Sequence, residues 1–167
     1  PALYARTLIA AGYFESIALS SEDLKRADFY QDNAKRVQIL NQSSDMESYL
    51  NSLDMHMQIT QFDAIGRFRI CQLINKSNQF NLTTKRYSEI DIKKFEKDDA
   101  FYTRQICLKD KFGDNGMISV IICEKDTNFW KIDTWLMSCR VLGRGVEIAA
   151  LNDIILNAKK NGVNILT

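Results

Sequence analysis

Two glycines and two arginines lie together in residues 140–145, in a pattern that suits the binding of an anion. Glycine permits positive φ angles and a close approach of ligand to backbone, and the free N–H groups and dipole at a helix start attract negative charge. Arg140 and Arg144 would add two full positive charges. The alternative is a glycine turn that only caps a helix. The expected phosphate-binding turn consists of Arg140, Val141, Leu142, Gly143, Arg144, Gly145 and Val146.

The spacing of these glycines does not fit two common phosphate motifs. Ile148 stands where a dinucleotide fingerprint needs its third glycine, and no Gly-Lys-Ser or Gly-Lys-Thr follows as in a P-loop. We therefore expect a phosphate-binding turn of another type.

Two side chains near this turn could take part in catalysis. Cys139 precedes it directly, where positive charge and a helix N-terminus favour a nucleophilic thiolate. No histidine is near Cys139 in the sequence to act as its base, and the alternative is a small residue at the end of a strand. Asp133, on the strand before the turn, is the best-placed acid for a general base. The alternative for Asp133 is a carboxylate that faces solvent.

A polar segment at 75–86 could bind a substrate. Neutral donors and acceptors beside one guanidinium could orient a polyhydroxylated group or a phosphate. Helix capping and hydrogen bonds within the loop would explain part of this composition without a ligand. The candidate substrate-binding residues are Asn75, Asn78, Gln79, Asn81, Thr83 and Arg86.

The composition indicates a globular chain without a global attraction to nucleic acid or membranes. Of its 167 residues, 46% are hydrophobic, which is enough for one domain or one domain with an appendage. The 22 Lys and Arg residues balance 21 Asp and Glu residues, so we expect neither nucleic acid nor an anionic membrane as a partner. No apolar run reaches the roughly 18 residues of a membrane span, and no secretory signal is visible. The expected location is the cytoplasm.

The cysteines and the single histidine do not form a metal-binding pattern. The cysteines are far apart, without a C-x-x-C pair, and are interpreted as reduced cytosolic thiols. His56 alternates with apolar neighbours and is expected to be structural, so no metal is expected. The four cysteines are Cys71, Cys107, Cys123 and Cys139.

The apolar periodicity changes from helical to strand-like near residue 55. Residues 1–54 are helical by pattern, with a short third helix after the capping-box residues Ser44 and Glu47. A strand at 55–62 and helices at 67–78 and after Ser88 follow. The remaining expected elements are strands at 101–109, 117–123 and 130–138, turns at 113–116 and 126–128, helix Val146–Lys160 and a strand at 163–166.

These elements predict an α+β fold with three layers. The strand at 117–123 is apolar on both faces and is expected at the centre of a sheet covered on two sides. The hairpins make its neighbours antiparallel, whereas the last strand should lie parallel beside 130–138. The prediction is a mixed, mostly antiparallel sheet flanked by helices, with an N-terminal helical segment.

The order of elements and the Arg-x-x-Gly-x-Gly spacing resemble the GCN5-related N-acetyltransferase (GNAT) superfamily, from residue 55 to its fifth strand at 163–166. The resemblance implies that the turn at 140–146 binds the pyrophosphate of coenzyme A. It also implies that the pantetheine arm lies between two strands that splay apart, here 134–139 and 163–166, and that its amides pair with the backbone of the first. Cys139 would then lie against this channel.

Three stretches, at 75–87, 108–116 and 135–147, resemble the C-terminal half of FkbH-like proteins, which join a haloacid-dehalogenase-type phosphatase domain to a GNAT-like domain. The resemblance implies loading of a glyceryl unit onto the phosphopantetheine of an acyl carrier protein, for glyceryl starters or methoxymalonyl extender units of polyketides. The implied partners are an acyl carrier protein and a phosphatase domain of the same polypeptide.

The domain organisation that follows is a helical linker at 1–54 after an N-terminal phosphatase domain, and a C-terminally incomplete GNAT-like domain at 55–167. The implied cofactor is coenzyme A or the phosphopantetheine of the carrier protein. One alternative function is a non-catalytic module that docks the carrier protein or braces the phosphatase domain. Another is ordinary amine N-acetylation, which is less favoured because no acidic patch for a cationic amine is visible in the sequence.

Overall fold

The computed structural model describes residues 26–77, 80–163 and 165–167, and the chain divides into two compact units, 1–42 and 43–167. In the first unit the described residues form one helix, α1 (Arg26–Gln42), as the apolar pattern predicted. The part of the expected helical segment before residue 26 lies outside the described residues.

The second unit contains a six-stranded sheet flanked by helices. Its first elements are α2 (Met46–Ser52), β1 (His56–Thr60), α3 (Arg67–Lys76), β2 (Phe80–Asn81) and α4 (Glu89–Lys97). They are followed by β3 (Phe101–Asp110), β4 (Gly113–Lys125), β5 (Phe129–Met137), a 3-10 turn (Cys139–Val141), α5 (Val146–Lys160) and β6 (Ile165–Leu166). The predicted α+β class is confirmed.

The strand order is β1-β3-β4-β5-β2, with every neighbour antiparallel, and β6 pairs in parallel with β5. The predicted parallel pairing of the last strand is therefore confirmed. Strand β4 is central, and its residues 117–123 are all buried, as their apolar character on both faces predicted.

The sheet separates two hydrophobic cores. On one face, Ala150, Ile154 and Ala158 recur every four residues along α5, so they form one stripe that packs on the sheet. On the other face, residues of α3 and α4, including Ile74 and Ile92, pack against β4. Full burial of a large aliphatic side chain contributes about 1.5 to 3 kcal/mol, so both layers are held mainly by apolar contact.

The turn between β3 and β4 lies earlier than predicted. We expected it at 113–116, but β4 already begins at Gly113. The Asp110 carboxylate accepts the N–H groups of Phe112 and Gly113 at 3.0 and 3.3 Å, which closes the turn before the glycine-rich residues. Residues 115–116 are absorbed as a β-bulge in β4.

Two helix starts can be compared with the expected caps. Helix α4 is capped by Ser88, as predicted. Helix α2 is capped by Asp45 rather than Ser44, because the Asp45 carboxylate accepts the N–H of Ser48 at 2.7 Å. Aspartate caps a helix as well as serine does, so α2 starts one residue later than the capping box predicted.

Candidate functional site

The glycine turn lies between the end of β5 and the start of α5, where the sequence predicted it. Gly143 and Gly145 have φ angles of +75° and +79°, in the left-handed region that favours glycine, and Gly145 is the N-cap of α5. Among the described residues, a Cβ atom added to either glycine would meet no atom within 4 Å. The backbone of the turn is therefore open to a close approach from outside.

One N–H group of the turn is already bound to an anion supplied by the chain. The N–H of Gly143 donates to Glu147 Oε1 at 2.7 Å. Glu147 lies in the first turn of α5, where the helix dipole stabilises a negative charge. A phosphate oxygen at the Gly143 N–H would have to compete with this carboxylate.

The two arginines of the turn have different surroundings. Arg144 is buried, and its Nη1 lies 3.3 Å from Oδ2 of Asp110, whose side chain is fully buried. Its Nη2 donates to the carbonyl of Arg140 at 2.8 Å, so Arg144 fastens the turn to the β3–β4 hairpin. Arg140 is partly exposed and its Nε donates to Ser138 Oγ at 3.1 Å. Of the two side chains, Arg140 is the better placed to meet an external anion.

Asp133 is a buried residue at a β-bulge in β5. Ile122 lies opposite Thr134 and Cys123 lies opposite Ile132, so Asp133 is the extra residue. The solvent-facing alternative for Asp133 is wrong, because only 2% of the residue is exposed. A bulge re-aims the side chain, and here the carboxylate turns inward among hydrogen-bond donors.

Three donors surround the Asp133 carboxylate. Lys85 Nζ binds Oδ1, and Oδ2 accepts the Tyr87 hydroxyl at 2.6 Å and the Thr134 hydroxyl at 3.0 Å. Burial alone would raise the pKa of Asp133, but these hydrogen bonds outweigh it and hold the pKa below its ordinary value. Burial, together with the hydrogen bond to Asp133, raises the pKa of Tyr87. A carboxylate with both oxygens engaged and a lowered pKa fits a fixed anchor better than a general base.

The amide-rich loop is largely occupied with its own hydrogen bonds. Asn75 Nδ2 donates to the carbonyls of Cys71 and Tyr87, both at 2.9 Å, and Arg86 donates to the carbonyl of Ile74. Asn81 donates to the Ser77 carbonyl at 3.2 Å and accepts the Thr84 N–H at 3.0 Å.

The hydroxyl of Thr83 is buried and has no hydrogen-bond partner among the described residues. Asn78 and Gln79 lie outside the described residues, and binding of substrate by this loop stays a prediction.

The same loop supplies β2, which covers one end of the outer edge of β5. Phe80 pairs with Met137 and Asn81 with Leu136, and the N–H of Leu82 donates to the Trp135 carbonyl at 3.1 Å. At the other end of this edge, β6 pairs with Phe129 and Trp130. The place that the resemblance assigned to the pantetheine arm, beside residues 134–139, is thus occupied by β2 in this structure.

The cysteines differ in exposure. Cys139 is an exposed thiol at the first position of the 3-10 turn. Cys123 is buried, and burial raises its pKa to about 12, so it is an inert core thiol. Burial also raises the pKa of Cys107. Of the four thiols, Cys139 is the one that is exposed, whereas Cys71 and Cys107 are half-buried.

Sequence reasoning missed four residues that shape this region. Lys85 and Tyr87 lie within the polar segment that it did single out, so their position was a usable signal. Glu147 and Asp110 gave no signal in the sequence. The bond between Glu147 and the Gly143 N–H exists only once the turn is folded, and Asp110 binds Arg144, which is 34 positions away.

The described part of the chain contains no group of three or more His, Cys, Asp or Glu side chains placed to hold a metal ion. His56 is exposed and its Nε2 lies 3.4 Å from the Asp54 carboxylate. Within the same residues, no helix is both long and apolar enough to cross a membrane.

Comparison with known proteins gives matches at the level of structure. No family model and no curated protein sequence matches the chain. A ribosomal-protein alanine N-acetyltransferase from Escherichia coli matches with a TM-score of 0.50 and 13% identity over 66% of this chain and 66% of its own length. A ribosomal-protein-alanine N-acetyltransferase from Brucella melitensis matches with a TM-score of 0.50 and 12% identity, over 67% of this chain and 78% of its own.

A third match is a GNAT-family acetyltransferase from Staphylococcus aureus, with a TM-score of 0.50 and 12% identity over 66% of this chain and 72% of its own. The chain spans about two thirds of the length of the Escherichia coli enzyme, 66%. At such low identity the likeness concerns the fold. The chain therefore contains a GNAT-like fold, a mixed, mostly antiparallel sheet flanked by helices.

Proposed function

We propose that the second unit is an acyltransferase-like module that binds coenzyme A or the phosphopantetheine of an acyl carrier protein. The observation that carries this proposal is the open turn with Gly143 and Gly145 in left-handed conformations, directly before the N-terminus of α5 in a GNAT-like fold. Backbone N–H groups at a helix start, next to a partly exposed arginine, suit a phosphate or pyrophosphate.

The chain's own residues would hold the phosphate end of such a cofactor. Arg140 would donate a charge-assisted hydrogen bond, and the backbone of residues 143–146 would face the anion once Glu147 releases the Gly143 N–H. Arg144 would keep the turn in place through Asp110 without touching the ligand. The bound cofactor would supply the thiol or thioester at the reacting end.

The FkbH-like context is supported by where the three resembling stretches lie. The stretch at 75–87 pairs with the one at 135–147 through β2 and β5, and the stretch at 108–116 meets the same one through Asp110 and Arg144. The residues that carry the resemblance thus form one continuous region around the end of β5. We infer that this region serves the formation of a glyceryl-type thioester on an acyl carrier protein, beside a phosphatase domain.

The second candidate function is a non-catalytic docking module for the carrier protein. It is favoured by Asp133, whose engaged, low-pKa carboxylate is poorly suited to accept a proton from a substrate. If the module is catalytic instead, Cys139 would be the remaining candidate nucleophile. Incubation with acetyl coenzyme A and carrier protein separates the two functions: an acetyl mass added to the carrier protein supports catalysis, whereas binding without a mass change supports docking.

Calorimetric titration of coenzyme A into the full chain tests the cofactor site. Arg140→Ala should weaken binding about 10- to 100-fold, because it removes one charge-assisted hydrogen bond. Lys160→Ala, which removes a positive charge from the last turn of the same helix, should leave the affinity unchanged. Equal affinities for wild type, Arg140→Ala and Lys160→Ala would show that the turn is only a helix cap.

A further inference from the structure

The two sides of the sheet differ in how the chain covers their edges. Strand β5 has both β2 and β6 along its outer edge, so the chain itself covers that side of the sheet. Strand β1, at the opposite side, pairs only with β3 among the residues that the structure describes. The outer edge of β1 therefore presents backbone N–H and C=O groups that another strand can bind.

Strand β1 carries none of the features that usually prevent such pairing. Edge strands that stay single are commonly protected by a lysine, a proline or a bulge. Residues 55–62 contain no proline and no Lys, Arg, Asp or Glu. The register of β1 against β3 runs without a shift from His56 to Thr60, so no bulge twists the strand away. Strand β1 is therefore suited to pairing with a further strand.

The side chains of β1 fit a second copy of the same strand. An antiparallel pair with a two-fold axis at Gln58 places Met57 opposite Ile59 of the second copy. Met57 and Ile59 are half-buried and pack against the hydrophobic core on the α5 side of the sheet. Pairing would extend this core from one copy into the next, and cross-strand pairs of apolar and β-branched side chains stabilise a sheet.

Within the paired residues, the same register brings no two like charges together. Gln58 meets Gln58 of the second copy at the axis, where two neutral amides can exchange a hydrogen bond. His56, the one ionisable side chain at 55–62, lies opposite Thr60 of the second copy. The strand is thus complementary to itself, as a two-fold interface requires.

We propose that two copies of this chain pair through the outer edges of β1, antiparallel and about a two-fold axis at Gln58. The two six-stranded sheets then join into one. Strands β3 and β4 separate β1 from β5, so β5 and the glycine turn after it lie outside this interface. The dimer does not depend on the cofactor site proposed above.

Sedimentation velocity of the full chain over a range of concentrations tests the dimer. The wild type should convert from a monomer of 19.2 kDa to a species of twice this mass. Gln58→Glu and Gln58→Lys each place two like charges opposite one another at the axis, so each should weaken the dimer about 2- to 5-fold. Asn152→Glu, at an exposed position on α5, is the matched control and should dimerise like the wild type. Circular dichroism confirms that each variant is folded.

A mixture of the two position-58 variants tests the position of the axis. With one variant tagged, Gln58→Glu and Gln58→Lys should form a mixed dimer that is tighter than the dimer of either variant alone, because opposite charges then meet at the axis. A wild-type chain that stays monomeric at all concentrations would overturn the proposal. So would a dimer that neither variant weakens.

Hydrogen–deuterium exchange distinguishes a second copy from a segment of the same chain as the occupant of this edge. The amides of residues 56–60 that point away from β3 should become better protected as the concentration rises and the dimer forms. Full protection of all these amides in the dilute monomer would show that the chain covers the edge itself, and would contradict the dimer.

Discussion

Arg140 and Arg144 stand four positions apart in one motif, yet their side chains have different surroundings. The motif predicted that both arginines would contact the anion, because spacing in the sequence indicates only local geometry. The structure gives Arg144 a buried partner, Asp110, which lies 34 positions away at the end of β3. Such a contact follows from the fold and has no counterpart in the motif, so residue-level reasoning could not separate the two arginines.

Arg144→Ala should destabilise the domain strongly. It removes the Arg144 guanidinium from the fully buried Asp110 carboxylate, and breaking a buried ion pair costs roughly 3 to 5 kcal/mol in the free energy of unfolding. Urea denaturation measures this loss. Arg140→Ala, the matched control four residues away, should lower the free energy of unfolding by less than Arg144→Ala does, because Arg140 is only partly buried. Equal losses for the two variants would show that the Asp110 contact is energetically unimportant.

Glu147→Gln should have effects of opposite sign on stability and on binding. Loss of a carboxylate from the first turn of α5 should lower the free energy of unfolding by about 0.3 to 1 kcal/mol. The same change removes the anion that competes at the Gly143 N–H, so coenzyme A should bind about 2- to 5-fold more tightly. Calorimetric titration and urea denaturation measure the two effects.

Glu89→Gln is the matched control, because Glu89 lies in the first turn of α4. Its stability should fall by a similar amount with no change in the affinity for coenzyme A. Unchanged affinity in Glu147→Gln as well would mean that no phosphate approaches Gly143.

At the scale of elements, the long periodic segments were predictable, whereas the short strand β2 was not. Helix Val146–Lys160 was predicted to the residue, because an amphipathic pattern follows a glycine N-cap. Strand β2 has two residues and therefore no periodicity, and it forms only because the edge of β5 is there to pair with. The β3–β4 turn was misplaced because the Asp110 side chain closes it before the glycine-rich residues.

Gly145 is needed for the start of α5 through its backbone alone. Its φ angle is +79°, so a residue with a side chain would strain the backbone there. No described atom lies within 4 Å of an added Cβ, so the side chain itself would cause no steric clash. Gly145→Ala should lower the free energy of unfolding by about 1 to 2 kcal/mol. Gly145→Asn should lower it by less, since asparagine tolerates the left-handed region better. Thermal denaturation of both variants tests this order, and a larger loss for asparagine would contradict it.

The cluster of Asp133, Lys85 and Tyr87 ties the loop to β5 and should make stability depend on pH. The lowered pKa of Asp133 adds stability above the ordinary value of about 4, and this is lost as pH falls. The raised pKa values of Lys85 and Tyr87 add stability below about pH 10, and this is lost as pH rises further. Unfolding free energy should therefore be greatest between these limits.

Asp133→Asn isolates the contribution of this cluster. The difference in unfolding free energy between wild type and variant should be largest at neutral pH and should shrink below about pH 4, as wild-type Asp133 is protonated. Urea denaturation from acid to neutral pH measures the difference. A difference that stays constant with pH would show that the charge of Asp133 does not contribute.

At the scale of the whole molecule, the order of elements was enough to predict the class of fold. Apolar strands joined by tight turns, followed by one long crossover helix, leave few arrangements of the sheet, and the parallel β6 follows from the handedness of that crossover. The order of elements could not predict which segments of the chain would pair with the exposed edge of the sheet. Both β6 and β2 pair with the outer edge of β5, Glu147 binds a backbone N–H of the turn, and Asp110 binds Arg144.

Backbone amide spectra of the 19.2 kDa chain during titration with coenzyme A test the central claim most directly. If the glycine turn binds the phosphate end, the largest shifts should occur at the amides of Gly143, Gly145 and Val146. Saturable binding that shifts amides elsewhere and leaves residues 140–146 unchanged, or no binding, would contradict the assignment of this turn as the cofactor site.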